Sequence, residues 1–354
     1  MFKYFKWSFA ILFMGLACAF FRGDTWQASF SLLLSALAII VIEVSLSFDN
    51  AVVNAIKLEK MNKVWRQRFL TWGILIAVFG MRFVFPLLIV AIFSNISMLT
   101  VLNLTLTNPD EYTRMLAESH YGIASFGSMF LMMLFMSFMF SDEKENWISI
   151  PEKLFKLLGK IKGSKEVIAF IFLGLLQFHL KEGQHLISII SGSVGIFLHT
   201  IIEFFAKKFE PSKEIALDAA KNGLVSFIYL EIIDASFSLD GVLGAFAVTK
   251  DIIVITIGLT VGAVFVRSLT IMLVEKKTLE KFPYLQHGAY WAVGVLSGIM
   301  LYSAIEEVSE FITAIASIIF ILASIVSSLW VGKRPFSLRK FKNLLKKKAL
   351  KQKS

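Results

Sequence analysis

Long apolar runs separated by short polar segments dominate the hydrophobic pattern of this chain. A helix needs about 20 apolar residues to cross a bilayer. Measured against that length, the pattern predicts an all-α fold, a polytopic membrane helix bundle of ten spans. The predicted spans are 7–21, 27–56, 69–93, 121–140, 167–180, 186–205, 222–249, 252–275, 284–304 and 309–331. Span 167–180 is short enough that crossing fully and re-entering the membrane both stay open.

Lysine and arginine are divided unevenly between the loops. With the N-terminus placed in the cytoplasm, the inner segments hold 30 Lys and Arg residues and the outer loops hold four. Two more, Arg82 and Arg267, lie inside spans. Cytoplasmic loops carry the excess of positive charge in membrane proteins. The imbalance therefore predicts a multi-pass protein of the inner (plasma) membrane with both termini in the cytoplasm.

Composition narrows the class of protein further. The chain is 56% hydrophobic with 35 Phe, and only 18% of its residues are charged, which excludes a large soluble core. Its one cysteine, Cys18, excludes an internal disulfide and a thiolate cluster. The net charge of +10 resides in residues 333–354, which contain ten Lys and Arg and no acid. Beside a terminal apolar helix, such a tail is predicted to bind anionic lipid, not nucleic acid.

The pattern divides the chain into six regions. These are an N-terminal anchor or signal segment at 1–26, a first transmembrane repeat at 27–140, a linking region with two extra spans at 141–221, a second repeat at 222–304, a last span at 305–332 and a basic cytoplasmic tail at 333–354. The first apolar run follows Lys3 and Lys6 and ends at Ala17-Cys18-Ala19. A cleaved signal peptide and a retained anchor are therefore both open.

One polar string occurs twice inside apolar spans, as EVSLSFDN from Glu43 and as DASFSLDG from Asp234. Aligned without gaps, Glu43 matches Asp234 and Asp49 matches Asp240. The aligned serines are Ser45, Ser47, Ser236 and Ser238. The strings lie on the second and seventh predicted spans, so they cross in opposite directions. This arrangement predicts an inverted-topology repeat, which many secondary transporters share.

A straight helix cannot present the first string on one face. One stripe holds Glu43, Ser47, Asn50 and Asn54, and the opposite stripe holds Ser45 and Asp49. We therefore expect the helix to break between residues 45 and 50, as helices do at ion sites of transporters. Gly241 and Gly244 favour a similar break in the second copy.

Charge near the centre of a bilayer is costly, at about 2.5 to 3.5 kcal/mol for each group. The acids at issue are Glu43, Asp49, Glu231, Asp234 and Asp240. Arg82 and Arg267 can neutralise two of the five, either as fixed partners that hold helices together or as gates. The remaining charge favours the binding of protons or of a metal cation.

The ligands on offer are oxygen atoms of carboxylates, hydroxyls, amides and the backbone. Such hard donors suit Mg, Ca and Mn better than Cu or Zn. We predict metal binding by Glu43, Asp49, Asp234 and Asp240. The predicted supporting residues are Ser45, Ser47, Asn50, Asn54, Glu231, Ser236, Ser238, Arg82 and Arg267. Carboxylates that take up protons as the cation leaves would give cation/proton exchange.

The doubled string resembles the paired signature of the TerC family of integral membrane proteins, within the LysE-like transporter superfamily. Arg82, the segment Gly262–Arg267 and the block Phe282–Gly288 extend the resemblance, which covers residues 28–304. It implies a metal-ion exporter that transports manganese and holds no permanent cofactor. It also assigns metal handling to the four acids named above. The chain departs from the family pattern at Gly241, which stands opposite Asn50, and in the long insert 141–185.

Two other functions stay open. The wider superfamily implies an exporter of a basic amino acid, and some TerC relatives imply a non-transporting factor for membrane assembly or stress resistance. An enzyme is not expected, because the Gly-x-Gly-Asp string of an intramembrane aspartyl protease does not accompany Asp240. A homo-oligomer is compatible with either class.

Overall fold

The computed structural model of the protein describes residues 2–93, 96–141, 146–208, 223–228, 230–234, 241–242, 245, 248–249, 251–306, 308 and 310–332. The regular elements among these residues are all helices, and none of these residues lies in a strand. The predicted all-α fold is confirmed. The basic tail at 333–354 lies outside the described residues, as does much of the predicted span 222–249.

The described helices range in length from four to 24 residues. They are α1 (Phe2–Phe21), α2 (Trp26–Leu46), α3 (Phe48–Lys60), α4 (Lys63–Leu75), a π-helix (Ile76–Val84), α5 (Phe85–Phe93), α6 (Met98–Thr107), α7 (Pro109–Glu118), α8 (His120–Met139), α9 (Ser149–Gly159), α10 (Ser164–Gln177), α11 (His185–Lys208), α12 (Ile252–Glu275), α13 (Thr278–Lys281), α14 (Leu285–Ser303) and α15 (Glu310–Gly332).

Side chains at the helix N-termini explain several of these boundaries. The side-chain oxygen of Thr25 accepts a hydrogen bond from Ala28 N, and Asn62 and Ser97 cap α4 and α6 in the same way. Asp251 accepts from the backbone N–H groups of Ile253 and Val254 at the start of α12. Each cap satisfies a donor that the first helical turn would leave without a partner.

Five helices in the described part are long and apolar enough to cross a membrane. They are Lys3–Phe21, Trp26–Leu46, His120–Met139, His185–Phe205 and Ile252–Glu275. Large apolar side chains point outward from several of them, with Phe13 71% and Phe197 61% exposed. Apolar surface of this extent needs lipid around it. The chain is therefore a membrane protein, and the total of ten spans remains a prediction.

Helix α8 is apolar on every face, and nearly all its side chains are buried. This is the pattern of a helix at the centre of a bundle, and α8 is the centre of one half of this one. It packs against α11 on one side and α14 on another, and α14 packs against α15. A second layer forms where α12 packs against α1, α2 and α3. The first string and Arg267 lie in this second layer.

Two predicted elements differ in detail from the structure. The predicted outer loop after residue 93 contains the helices α6 and α7, whose apolar residues Val101, Tyr112 and Leu116 are buried. The predicted span 69–93 is interrupted by the π-helix. A π-helix widens the backbone spiral by one residue per turn and leaves no mark in hydrophobic periodicity, so the sequence did not predict it.

Helix α1 is tied to α12 by polar contacts as well as apolar ones. The Ser8 Oγ lies 2.7 Å from the Ser268 Oγ, and both residues are buried. At the other end, the Arg22 Nε donates to the Asp251 Oδ2 across 2.7 Å. Cleavage after Ala17 would remove the Ser8 partner from the buried Ser268 and open the face of α12.

We expect α1 to be retained as an anchor in the mature protein, because its loss would remove Ser8 from the buried Ser268 hydroxyl. Mass spectrometry of protein purified from membranes should detect the N-terminal peptide up to Ala17. An intact mass corresponding to a chain that begins at Cys18 or Phe20 would show instead that the segment is a cleaved signal peptide.

Candidate functional site

The helix that carries the first string breaks at Ser47, as predicted. Helix α2 ends at Leu46 and α3 begins at Phe48, with Ser47 at φ −95° and ψ 13° between them. The Ser47 N–H still donates to the Glu43 carbonyl, and the Ser47 Oγ donates to the Glu43 Oε1 at 3.1 Å. A serine suits this position, because its hydroxyl can donate to a buried carboxylate one turn back along the helix.

Protein surrounds both stripes of the first string. Glu43, Ser47, Asn50 and Asn54 are all buried, and so is Asp49 on the opposite side, whereas Ser45 is half-buried. The Ser317 Oγ of α15 donates to the Asp49 Oδ2 at 3.4 Å. Sequence reasoning missed Ser317, whose only signal was a hydroxyl within an apolar run.

Asn50 joins carboxylates of the two strings. Its backbone N–H donates to the Asp49 Oδ1 at 2.9 Å, and its side-chain Nδ2 donates to the Asp234 Oδ1 at 2.6 Å. Asp234 is 184 positions away in sequence and buried. The structure thus brings Asp234 of the second string to the Asn50 side chain of the first string, next to Asp49 in sequence.

Glu43 and Arg82 form a buried ion pair between the Oε1 and Nη2 atoms. Arg82 lies on the π-helix, and its Nη1 also donates to the Ala77 carbonyl at 2.7 Å. The wide turn of a π-helix turns side chains away from the ordinary helical spacing, and such turns are frequent at functional sites. Arg82 was expected to be either a fixed partner of an acid or a gate, and in the structure it is paired with an acid.

Glu43 also lies against two glycines. A β-carbon at Gly241 would overlap the Glu43 Oε2, and one at Gly262 would lie 2.7 Å from the Glu43 Cβ. Gly241 ends the second string, so Glu43 at the start of the first string meets the end of the second. Asn50, which ends the first string, meets Asp234 at the start of the second. The start of each string therefore lies against the end of the other.

A second carboxylate and a second guanidinium, those of Glu231 and Arg267, lie near Gly73 on α4. The Arg267 Nη2 donates to the Gly73 carbonyl at 2.9 Å, and the guanidinium lies 3.8 Å from the centre of the Phe69 ring. A β-carbon at Gly73 would lie 2.6 Å from the Glu231 Oε1. Glu231 and Arg267 interact electrostatically, but within the described residues they form no ion pair.

Several buried oxygen atoms in this region have no hydrogen-bond partner in the described part of the chain. They are the Asn50 Oδ1, the Asn54 Oδ1 and both carboxylate oxygens of Glu231. A buried polar atom without a partner costs about 1 to 3 kcal/mol. These atoms are hard donors of the type that Mg, Ca and Mn prefer.

The predicted metal site is incomplete in the described residues. Among them, no three His, Cys, Asp or Glu side chains are grouped closely enough to hold a metal ion. Ser236, Ser238 and Asp240 lie outside the described residues, as does Gly244. Asn50 contacts both Asp49 and Asp234, whereas Glu43 pairs with Arg82.

A family model described as a protein of unknown function (DUF475) matches residues 48–335. The chain belongs to this family. Searches of curated proteins and of solved structures find no significant match. The matched region of this DUF475 protein includes Asp49, Asp234 and both arginines, and it starts after Glu43. The match does not name the TerC family, so that similarity remains an interpretation of the motifs.

The contact between Gly262 and Glu43 in this DUF475 protein predicts the effect of a single methyl group. The Gly262→Ala variant should lose about 1 to 3 kcal/mol of stability, because the new Cβ would displace Glu43 from its ion pair. Gly298 is the matched control: it lies on α14, and a β-carbon there meets nothing within 4 Å. Gly298→Ala should be neutral or stabilising. Thermal unfolding in detergent compares the two, and equal melting temperatures would contradict the assignment.

Proposed function

We propose that this DUF475 protein is a secondary transporter that exports a divalent cation, with manganese as the expected substrate, in exchange for protons. The observation that carries the proposal is the Asn50 bridge between Asp49 and Asp234. It places Asp234 against the side chain of Asn50, the neighbour of Asp49 in sequence, and the Asn50 Oδ1 has no hydrogen-bond partner among the described residues.

The charge of the site supports a divalent substrate. Within the described residues, four buried acids, Glu43, Asp49, Glu231 and Asp234, occur with two buried arginines, Arg82 and Arg267. Fully ionised, this set carries two negative charges. One divalent cation or two protons would neutralise it, and buried charge is tolerated only when neutralised. Alternation between these two occupants is the chemistry of an exchanger.

The opposed strings support alternating access. In the alignment of the two strings, Glu43 matches Asp234 and Asn50 matches Gly241. Replacing each residue by its match therefore turns the contact of Glu43 with Gly241 into the contact of Asp234 with Asn50. Such reciprocal contacts are the signature of a two-fold relation between equivalent surfaces. An inverted repeat would let one half rock against the other around the site. The distribution of Lys and Arg supports an inner-membrane protein with both termini in the cytoplasm.

The residues take different roles in this proposal. Asp49, Asp234 and the Asn50 Oδ1 would bind the cation, joined by Asp240, whose alignment with Asp49 supports the same part. Glu43 would bind it only after leaving Arg82. In the absence of the cation, the guanidinium of Arg82 would neutralise Glu43 in its place.

Cellular metal content tests the function. Cells that lack the gene should accumulate manganese when grown in excess manganese, and the intact gene should restore the normal content. Lysine efflux is measured in the same cells. Raised lysine with normal manganese would favour export of a basic amino acid, and two normal values would favour a non-transporting assembly factor. Either of these outcomes would overturn the proposal.

A further inference from the structure

Helix α9 is fixed to the bundle through one face. Its buried residue Glu152 accepts hydrogen bonds from the backbone N–H groups of Trp147 (2.9 Å) and Ile148 (3.2 Å). The Trp291 Nε1 of α14 donates to the same carboxylate at 3.1 Å, and the His287 Nδ1 lies 3.1 Å from it. Phe155, one turn further along, packs edge-on against Phe135.

The opposite face of α9 carries large apolar side chains that nothing in the described structure covers. Ile150 is 86% exposed, Leu154 58%, Leu157 59% and Ile161, just beyond the helix, 63%. Their spacing of four, three and four residues places them in one stripe. At 100° per residue, this stripe lies opposite the face that holds Glu152, Phe155 and Gly159. One face of α9 therefore packs against the protein, and the opposite face exposes an apolar stripe.

Positive charge borders the exposed stripe. Lys153 and Lys160 are both exposed, and helical spacing places them together along one edge of it. The only acid between residues 149 and 163 is Glu152, which is buried. The outer surface of α9 therefore combines apolar area with charge of one sign.

We propose that α9 lies in the headgroup region of the membrane and binds a surface of anionic phospholipid. A helix with an apolar stripe bordered by lysines inserts its apolar side about 5–10 Å into this region while its lysines contact anionic headgroups. Helix α10 begins five residues after α9 ends and has exposed Val167, Phe170 and Ile171, so apolar surface continues from α9 into the bilayer. The proposal does not depend on the transported substrate.

Spin labelling of the full-length protein in lipid nanodiscs tests the depth of α9. In a Cys18→Ser background, a nitroxide is attached at Leu154→Cys and, as the matched control on the same helix, at Lys160→Cys. We expect the label at 154 to collide more with oxygen than with a water-soluble nickel complex, and the label at 160 to show the reverse. Equal access of nickel to both labels would overturn the proposal. Shielding of the 154 label from both reagents would overturn it too, since that result indicates a protein partner or a second copy.

Lipid composition tests the anionic preference. The 154 label should move deeper when phosphatidylglycerol replaces part of the phosphatidylcholine, and high salt should reverse this shift because salt screens exposed charge. The shift should disappear in the Lys153→Gln/Lys160→Gln variant, whose two replaced side chains are exposed and leave the packed face intact. A shift that persists unchanged in that variant would contradict anionic lipid binding.

Discussion

Replacing Arg82 with methionine should destabilise the protein by about 3 to 5 kcal/mol. The Glu43 carboxylate is 1% exposed, and its ion-pair partner is Arg82. Removal of one partner leaves a buried charge without compensation, which costs far more than the intact pair contributes. Glu43 would still accept the Ser47 hydroxyl, but a single neutral donor cannot replace a guanidinium.

The double variant Glu43→Gln/Arg82→Met separates this effect from lost packing. Because both charges are then absent, most of the stability should return, and the double-mutant cycle should give a coupling of several kcal/mol. Arg114→Met is the control for loss of an arginine, since Arg114 is exposed and pairs at the surface with Glu111. It should change the melting temperature in detergent only slightly. Equal losses in the single and double variants would contradict a buried ion pair.

Replacing Asp234 with asparagine should abolish transport while leaving the protein folded. The substitution keeps the size of the side chain and removes the negative charge of the carboxylate that accepts a hydrogen bond from the Asn50 Nδ2. Loss of an outer partner of a metal ligand typically costs about 10- to 100-fold, so loss of a ligand itself should cost more than 100-fold in manganese flux. Asp49→Asn should behave alike, because Asp49 is assigned to the same site and also contacts Asn50.

Manganese uptake into inverted membrane vesicles, driven by a proton gradient, measures this loss. The control is Glu118→Gln, which removes an acid whose side chain is 64% exposed and lies outside the site. It should transport at the rate of the unaltered protein. Wild-type flux in both Asp234→Asn and Asp49→Asn, at equal protein level, would refute the assignment of these carboxylates to the substrate.

The sequence predicted the break in the second helix because its polar residues conflicted with one helical face. Glu43 and Asp49 cannot point the same way along an unbroken helix, and the structure places the break at Ser47, between them. This inference needed only local geometry, which is why it succeeded. The second break, near Gly241, remains a prediction because residues 235–240 lie outside the described part.

Partners across the bundle could not be predicted in the same way. The sequence indicated that Arg82 and Arg267 would meet acids, but not which ones. Arg82 reaches Glu43 from a π-helix, whose turn shifts the direction of the side chain, and Arg267 instead contacts the Gly73 carbonyl and the Phe69 ring. Such choices depend on how segments far apart in sequence pack, and hydrophobic periodicity carries no information about that.

The exposed apolar stripe of α9 could not be predicted from the hydrophobic pattern that identified the membrane spans. The segment is too short to cross a membrane, and its lysines place it with the polar loops when only average hydropathy is considered. Its significance follows from burial of Glu152, which shows which face meets the protein and leaves the apolar stripe outside.

Calorimetric titration of the purified protein with manganese tests the shared site most directly. Repeated in buffers of different ionisation enthalpy, it counts the bound ions and the released protons together. We predict saturable binding of one manganese ion per chain with release of protons, and loss of that binding in Asp234→Asn and in Asp49→Asn alike. Binding that persists in both variants, or no saturable binding to the unaltered protein, would contradict a cation site formed jointly by the two strings.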